Sequence, residues 1–468
     1  MHTNTENLQV VVLAAGKGKR MKSDLPKVLH KLCGLTLLER AIRSVRGLSP
    51  KRITIVAGHG EALVRDHLES VDFGSAEMRI AVQSEQNGTG HAVLMAFDDL
   101  DPEVEDVLII PGDTPLLREA TYEPLLHNRE AVVSVLTSVV ENPYGFGRIE
   151  RANDGSVKAI VEDRDCSDSQ RSINEINSSV YLAKQSFLRE VLPKLGSNNA
   201  QGEIYLTDIV GAAVKQGRSV RGAVCEHSSH VAGANSRYEL ALLEVVRRHE
   251  INKHWMDEGV TFEDFRTAYI DEDVELGRDC LIGPGVSISG RCVLGAGVCV
   301  EAHSTIQSCN ISEGAHVKFS SHLEQAEVGP RCMIGPFARV RPQTKLGAEV
   351  RLGNFVETKK AEFGAGAKAN HLSYIGDARV GPKTNIGAGT ITCNYDGYNK
   401  HVTNIGTDVF IGSNTALVAP VTISDGAIVG AGSTITKDVP KDALGVARAR
   451  QNNVEEYALR KRREHSKD

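Results

Sequence analysis

A six-residue rhythm leaves the carboxyl-terminal half of this chain few ways to fold. An aliphatic residue, usually followed by Gly, stands at Leu276, Ile282, Ile288, Leu294, Val300 and Ile306. The pattern returns at Val328, Ile334, Val340, Leu346 and Leu352, and again at Ile405, Ile411, Leu417, Ile423, Val429 and Ile435. Four residues after most of these comes a small or β-branched residue, such as Cys280, Val286, Cys292, Ser304, Cys332 or Thr344. An α-helix cannot carry this pattern, because a step of six spreads successive aliphatics around the helix instead of lining them along one face. Short β segments with Gly at tight corners can stack the aliphatics into one internal column. A fixed hexapeptide period points to a parallel β-helix. The period by itself suits a rigid spacer or an oligomerisation post as well as an enzyme, so the breaks in the register must decide.

With 468 residues the chain has material for two or three domains. Its 54 basic and 60 acidic residues leave a net charge of −6, which gives no global attraction to nucleic acid or acidic membranes. An anionic substrate therefore needs local basic groups. The nine cysteines include no C-x-x-C pair, and Cys280, Cys292 and Cys332 occupy hexad positions where a small apolar group packs. An odd count with no framework suggests a reducing cytosol. The start, MHTNTENLQVVVLAAG, lacks the apolar run of a leader, and no stretch of 18 apolar residues exists. A soluble, cytoplasmic protein is expected.

The amino-terminal part alternates strand-like and helical patterns. Gln9–Ala15 is an apolar run of the kind buried on both faces in a parallel sheet. Further strands are expected at 52–57, 79–83, 106–110 and 131–137, with helices at 37–45 and 90–97. This alternation predicts a doubly wound α/β domain with its ligand beyond the carboxyl ends of the strands. The first strand runs into Gly16-Lys17-Gly18-Lys19-Arg20-Met21. That turn is neither a dinucleotide fingerprint, since Met21 stands where a third Gly belongs, nor a Walker loop. What remains is a loop whose backbone amides and basic side chains, with Lys27 after Pro26, can face phosphates.

The combination Leu13-Ala14-Ala15-Gly16-Lys17-Gly18-Lys19-Arg20-Met21 with Pro26-Lys27 resembles the sugar-1-phosphate nucleotidyltransferases. The likeness continues through Gln83-Ser84-Glu85-Gln86-Asn87-Gly88-Thr89-Gly90, Pro111-Gly112-Asp113-Thr114-Pro115, Gly147-Arg148, Glu162, Asn177, Gly202–Asp208 and Gly233-Ala234-Asn235. With the hexads behind them, these motifs resemble the bacterial family that joins N-acetylglucosamine-1-phosphate uridylyltransferase to glucosamine-1-phosphate N-acetyltransferase. The resemblance implies that Leu13, Ala14, Ala15, Gly16, Lys27, Gln83, Gly88, Thr89, Pro111, Gly112, Asp113, Gly147, Glu162, Asn177 and Asn235 bind the UDP-sugar. Arg20 and Lys27 would take phosphate oxygens, Arg as a planar fork and Lys as a point charge. Asp113 and Asn235 would hold Mg²⁺, a hard cation suited to oxygen ligands. An Asx turn would explain Asp113 alone, but its place directly after the buried run 107–110 favours a ligand. The chain departs from the family at Pro111, where Tyr is common and a ring and an N–H are lost, and at Phe146, which lacks a tyrosine hydroxyl.

Between the two halves, Ser236 to Glu258 reads as a helix stopped by Gly259, placing domains at 1–235 and 261–468 with a helical linker at 236–260. Trp255 near its end is expected to pack against a domain. In the solenoid, the clearest break runs from Ile391 to Lys400, and insertions between repeats collect on one face and often bind ligands. Arg341, Lys359, Lys360, His371 and Tyr374 stand just before it. Acetyl transfer from a thioester to an amine needs a base, for which His has the right pKa range, and donors for the oxyanion. His371-Leu372-Ser373-Tyr374 resembles the family's catalytic segment, with Asn370 where relatives often carry Gly. The resemblance makes His371 the base. It puts glucosamine-1-phosphate on Arg341, Lys359, Tyr374 and Asn385, and acetyl-CoA on Ala388, Asn394, Tyr395, Ser413, Ala431 and Arg448. An acyl-Cys393 route is the rival mechanism, with no sequence-adjacent His to serve it. The fold implied is an α/β nucleotidyltransferase domain followed by a left-handed parallel β-helix with three hexads per coil. The family assembles as homotrimers with the acyl site between chains, and its product feeds cell-wall precursors. The alternative is a single-activity nucleotidyltransferase whose β-helix only oligomerises.

Overall fold

The computed structural model describes residues 7–466. The first six residues, on which the reading of the amino terminus partly rests, lie outside the described residues. The chain divides into two compact units, Met1–Arg248 and His249–Asp468. The division falls inside a helix, Arg237–Asp257, which spans most of the segment expected to be helical. Gly259 ends it with φ +94°, its amide donating to the carbonyl of Met256 at 3.1 Å. Trp255 is half-buried there, its ring beside that of His254. Among the described residues no helix is long and apolar enough to cross a membrane.

The first unit holds a nine-stranded sheet: β1 (Leu8–Leu13), β2 (Arg52–Ala57), β3 (Glu77–Val82), β4 (Asp106–Pro111), β5 (Val133–Val139), β6 (Arg148–Arg151), β7 (Val157–Val161), β8 (Glu175–Lys184) and β9 (Val220–Val224). The order across it is β9-β5-β8-β4-β1-β2-β3, with β6 and β7 attached beside β8. Strands β4, β1, β2 and β3 run parallel, and β8 runs antiparallel between β4 and β5. Chain order reverses on either side of β1, so the crevice for a ligand opens where β1 and β4 end together, with Leu13 paired to Pro111. Val10, Val11 and Val12 are fully buried, as the apolar run requires, and helices cover both faces of the sheet.

The second unit is a parallel β-helix with three short strands per coil. Leu281 pairs with Cys299 and Phe410 with Ile428, each eighteen residues on. The aliphatic hexad positions and the small residues four places later are all buried, including Ile282, Val286, Ile288 and Cys292 at 0% exposure. All nine cysteines are free; in the solenoid interior burial raises the thiols of Cys280, Cys292, Cys309 and Cys332, that of Cys309 up to about 12, so these four act as packing groups.

The rhythm read from sequence stops at Ile306 and resumes at Val328; the structure shows no such gap. Ile311, Val317 and Leu323 continue the buried column. At the corner before Ile311 one residue is missing, so Cys299 pairs with His316, seventeen on. The glycines also work differently from expectation. Many corners carry non-glycine residues at positive φ, such as Asp279, Ser308, Gln325, Phe337 and Lys383. The Gly after the aliphatic residue is needed for close approach instead: a Cβ at Gly277 would lie 2.6 Å from the amide of Ala296 in the next coil.

These two kinds of glycine give opposite expectations. Gly277→Ala drives a methyl group into backbone and should destabilise the solenoid by about 2 kcal/mol. Gly211→Ala, in the helix Asp208–Lys215 with nothing near the new Cβ, should stabilise the first unit by roughly 0.5–1 kcal/mol. Calorimetric unfolding of the full chain checks both signs.

Candidate active sites in the two units

In the first unit a cavity of about 500 Å³ opens at the carboxyl ends of β1 and β4. The loop after β1 forms one wall, with Leu13, Ala14, Ala15, Gly16 and Arg20 all in the lining. Gly18 turns this loop at φ +56°, where a Cβ would sit 2.7 Å from that of Lys27, and buried Met21 anchors its far end. Gln83, Gly88 and Thr89 also line the cavity. They are held by Gln83 Nε2 donating to the Gly88 carbonyl at 3.0 Å and by Thr89 Oγ1 accepting from the Leu206 amide at 3.0 Å.

Lys27 is the electrostatic centre of this cavity. Only 9% exposed, it reaches from the short turn Lys27–Leu29 to donate to Asp113 Oδ2 and, at 2.6 Å, to Asn235 Oδ1. A buried ammonium needs such partners. The backbone sets the two acceptors side by side: the Gly112 amide donates to the Leu13 carbonyl at 2.9 Å, and the Ala234 amide donates to the Asp113 carbonyl at 2.9 Å. The two side chains expected to hold a metal thus converge on one cation of the protein itself. Pro111 lines the cavity as expected, while Gly112 lies behind the wall.

Gly147, Glu162 and Asn177 form a second cluster outside that lining. The Asn177 amide donates to the Gly147 carbonyl at 2.8 Å, and a Cβ on Gly147 would lie 3.6 Å from Glu162 Oε1. Burial raises the Glu162 pKa, against the hydrogen bond from Thr207 Oγ1 at 3.2 Å, with Asp165, Asp208 and Asp163 raising it further. Sequence reasoning missed Ser179 in the cavity wall; nothing in its own type or spacing marks it.

In the second unit the expected residues gather at corners of the coils. Ala388, Ser413, Ala431 and Arg448 climb one corner: the Asn414 amide donates to the Ala388 carbonyl at 2.7 Å, the Gly432 amide to the Ser413 carbonyl at 2.8 Å, and Arg448 Nη1 to the Ala431 carbonyl at 2.8 Å. His371, exposed, ends the strand Lys368–His371 at the foot of this column, over Asn354 in the coil before. Arg341, Lys359 and the inserted loop occupy the next corner along the chain. Tyr374 opens the strand between them, and its hydroxyl accepts from Asn394 Nδ2 at 3.5 Å. Asn394 Nδ2 also donates to Asp377 Oδ2 at 2.5 Å. Asn385 opens a different strand, Asn385–Ile386, stacked on Lys368.

The loop itself is a small hairpin, with Tyr395 bridged to Lys400 and Tyr395 exposed. Amides of Asn399 and Tyr398 and the ring of His401 hold Asp396 down to about 2. The hairpin brings in a cation that the sequence reading left out of the site. Lys400, then Arg341 and Lys360, depress the pKa of Lys359 by like-charge proximity. The signal was its place at the end of the break, within reach of a Lys pair.

A larger groove of about 600 Å³ runs along another face of the solenoid beside Glu327, Lys345, Glu362 and Arg379, and contains none of the expected site residues. Its alternating charges pair with one another, as Lys345 does with Glu327 at 2.9 Å.

Fold and cavity define a nucleotidyltransferase-type α/β unit followed by a hexapeptide-repeat unit. The MobA-like NTP transferase domain matches residues 10–163, the GMPPB C-terminal domain residues 265–362, and the hexapeptide repeat of succinyl-transferase residues 402–437. Over 459 residues the chain is 44% identical to the "Bifunctional protein GlmU" of Geotalea uraniireducens, covering 97% of this chain and 100% of that protein. It is 45% identical over 451 residues to the protein of the same name from Bordetella parapertussis, covering 96% and 98%. The chain belongs to the bifunctional GlmU family.

Glu162 supplies a pH signature. Its raised pKa means that burying the ionised carboxyl costs stability, so stability is greatest below the unfolded value of 4.5 and is lost as pH rises through the folded one. Glu162→Gln should therefore raise the unfolding temperature at pH 8, with the gain shrinking as pH falls toward 4.5. Thermal scans of both proteins between pH 5 and 8 read this directly; a gain that grows on acidification would contradict it.

Proposed function

We propose that this chain is a bifunctional transferase that makes UDP-N-acetylglucosamine. One unit acetylates glucosamine-1-phosphate from acetyl-CoA; the other couples the N-acetylated product to UMP from UTP. The observation that carries the reading is the presence of two separate phosphate-suited cation sets, one around Lys27 and one around Lys359 with His371 on the same solenoid.

In uridylyl transfer an oxygen of the sugar phosphate attacks the α-phosphorus of UTP, and the bond to pyrophosphate breaks. Several negative charges must be held together, so the work is positioning and neutralisation. Arg20 and Lys27 supply charge, while Leu13–Gly16, Gln83, Gly88 and Thr89 shape the nucleotide end of the cavity. Gly147, Glu162 and Asn177, clustered outside the lining, form the sugar end with Pro111, and Gly112 sets the backbone behind the wall. Asp113 and Asn235 fit Mg²⁺: both present oxygens, and both already converge on an ammonium. When bound, the ion would withdraw charge from phosphate oxygens.

In acetyl transfer the amine nitrogen attacks the thioester carbonyl, the C–S bond breaks, and His371 takes the proton lost by nitrogen. Arg341, Lys359 and Lys400 hold the sugar phosphate with Tyr374 and Asn385, and Ala388, Asn394, Tyr395, Ser413, Ala431 and Arg448 line the acetyl-CoA channel. These residues are spread over different corners of one solenoid, which supports a homotrimer whose neighbouring chains complete each acyl site. An exposed apolar column, Phe319, Phe337, Phe355 and Leu372, climbs toward His371 and suits such an interface. The substrates are small molecules, and the proposed setting is the cytoplasm.

One incubation tests the assignment. With glucosamine-1-phosphate, acetyl-CoA, UTP and Mg²⁺, mass spectrometry should show UDP-N-acetylglucosamine and free CoA. His371→Ala should slow the acetyl step about 10²–10⁴-fold and leave uridylyl transfer to added N-acetylglucosamine-1-phosphate intact. UDP-sugar forming only when the acetylated phosphate is supplied to the unaltered chain would instead make the solenoid a post.

A further inference from the structure

We infer that Ser179 is a specificity-determining contact to the acceptor sugar phosphate in the nucleotide cavity, a step that rests on the uridylyltransferase reading above. Strand β8 loses register with β5 between Asn177 and Tyr181, and Ser179 sits in that irregularity at φ +63°. Elsewhere the cavity wall adopts left-handed backbone at Gly18 and Gly88, where no side chain opposes it. At Ser179 the same conformation is imposed on a residue with a Cβ, which disfavours it. Exposed solenoid corners such as Asp279 adopt it too, but at Ser179 it falls inside a sheet strand, together with the lapse in register.

The surroundings of Ser179 are on view. Ser178 Oγ donates to the Leu136 carbonyl at 2.6 Å and accepts from the Val180 amide at 3.3 Å. The Ser179 amide donates to Asn177 Oδ1 at 3.0 Å, while Asn177 Nδ2 donates to the Tyr181 hydroxyl at 2.7 Å. The backbone and neighbouring side chains are therefore satisfied, yet the Ser179 hydroxyl has no partner among the described residues and is exposed at the wall. Ser179 lines the cavity that holds Lys27, Asp113 and Asn235, and it is hydrogen-bonded to Asn177 of the second cluster. It joins the two groups, and the sugar phosphate of the proposed reaction would lie between them. A neutral hydroxyl can donate to a phosphate oxygen or a sugar hydroxyl and accept from the latter. The nucleotide end, at Leu13–Gly16 and Gln83–Thr89, belongs to other segments of the chain.

Two variants of the full chain separate the hydroxyl from the backbone conformation. Ser179→Ala and Ser179→Gly should each raise KM for N-acetylglucosamine-1-phosphate about three- to tenfold and leave KM for UTP unchanged. Only Ser179→Gly should also raise the unfolding temperature, because only it relaxes the left-handed position. An unaltered KM for the sugar phosphate in both variants overturns the inference, as does an equal rise in KM for UTP. If the unaltered chain makes no UDP-sugar, the uridylyltransferase reading falls and takes this inference with it. If it does, the variants test Ser179 alone.

Discussion

Backbone pairing between successive coils governs everything the solenoid can do. The Leu281 amide donates to the Val298 carbonyl at 3.0 Å, and the same bond recurs coil after coil. Adjacent coils are then held about 4.8 Å apart, close enough that a Cβ at Gly364 would meet the Pro382 ring nitrogen at 2.5 Å. Each residue stands over its counterpart in the coil before, so side chains seventeen or eighteen positions apart become neighbours. The inserted loop leaves this pairing intact: Asn385 pairs with Phe410, twenty-five residues on, and the ladder continues to Ile428. The extra residues fold out at one corner as their own hairpin, with Tyr395 bridged to Lys400, so the strands on either side keep their partners. This is why a site can be built there without weakening the column of buried aliphatics.

The same pairing explains which parts of the solenoid were legible in sequence. Inward positions face a close-packed interior, so their period survives as Leu, Ile and Val. Corner length is less constrained, and removing one residue shifts the phase of the pattern without disturbing the stack. Ile311 and Leu323 are as buried as any hexad residue, yet a strict count of six passes over them. The corners were misread for a related reason. A left-handed residue need not be Gly when its side chain points to solvent, and Asp279, Gln325 and Lys383 accept the conformation. Glycine is compulsory only where the next backbone presses, a contact invisible until the coils are stacked.

In the first unit, the strand and helix pattern located where β1 and β4 end, and of the site residues named at those ends all but Gly112 line the cavity. The chemistry of Lys27 was less legible. In sequence Lys27 reads as a cation facing phosphate, whereas in the fold it is nearly buried and shared by Asp113 and Asn235, from segments far along the chain. Ser179 was silent for a different reason. Its significance lies in a backbone angle and a lapse in strand register, and neither leaves a trace in residue type.

The two cation sets answer one problem in opposite ways. Phosphate must be drawn from water, and positive charge must wait for it without collapsing onto the protein's own acids. Around Lys27 the charge is held by a carboxylate and an amide, so the cavity is organised in the absence of substrate, and an arriving anion must compete for a cation already engaged. Around Lys359 the arrangement is reversed. Lys400, Arg341 and Lys360 repel it enough to lower its pKa, and of these Arg341 has an acid partner, Glu357 at 2.8 Å. The repulsion is weak because the cluster is solvated, but it points one way: an arriving phosphate relieves it. A hairpin carrying Lys400 completes the cluster, so the solenoid's rigid corners set two of the cations while an insertion brings a third. The first unit thus spends its electrostatics on order and the second on attraction, which suits a cavity that must align two charged substrates and a corner that must capture one.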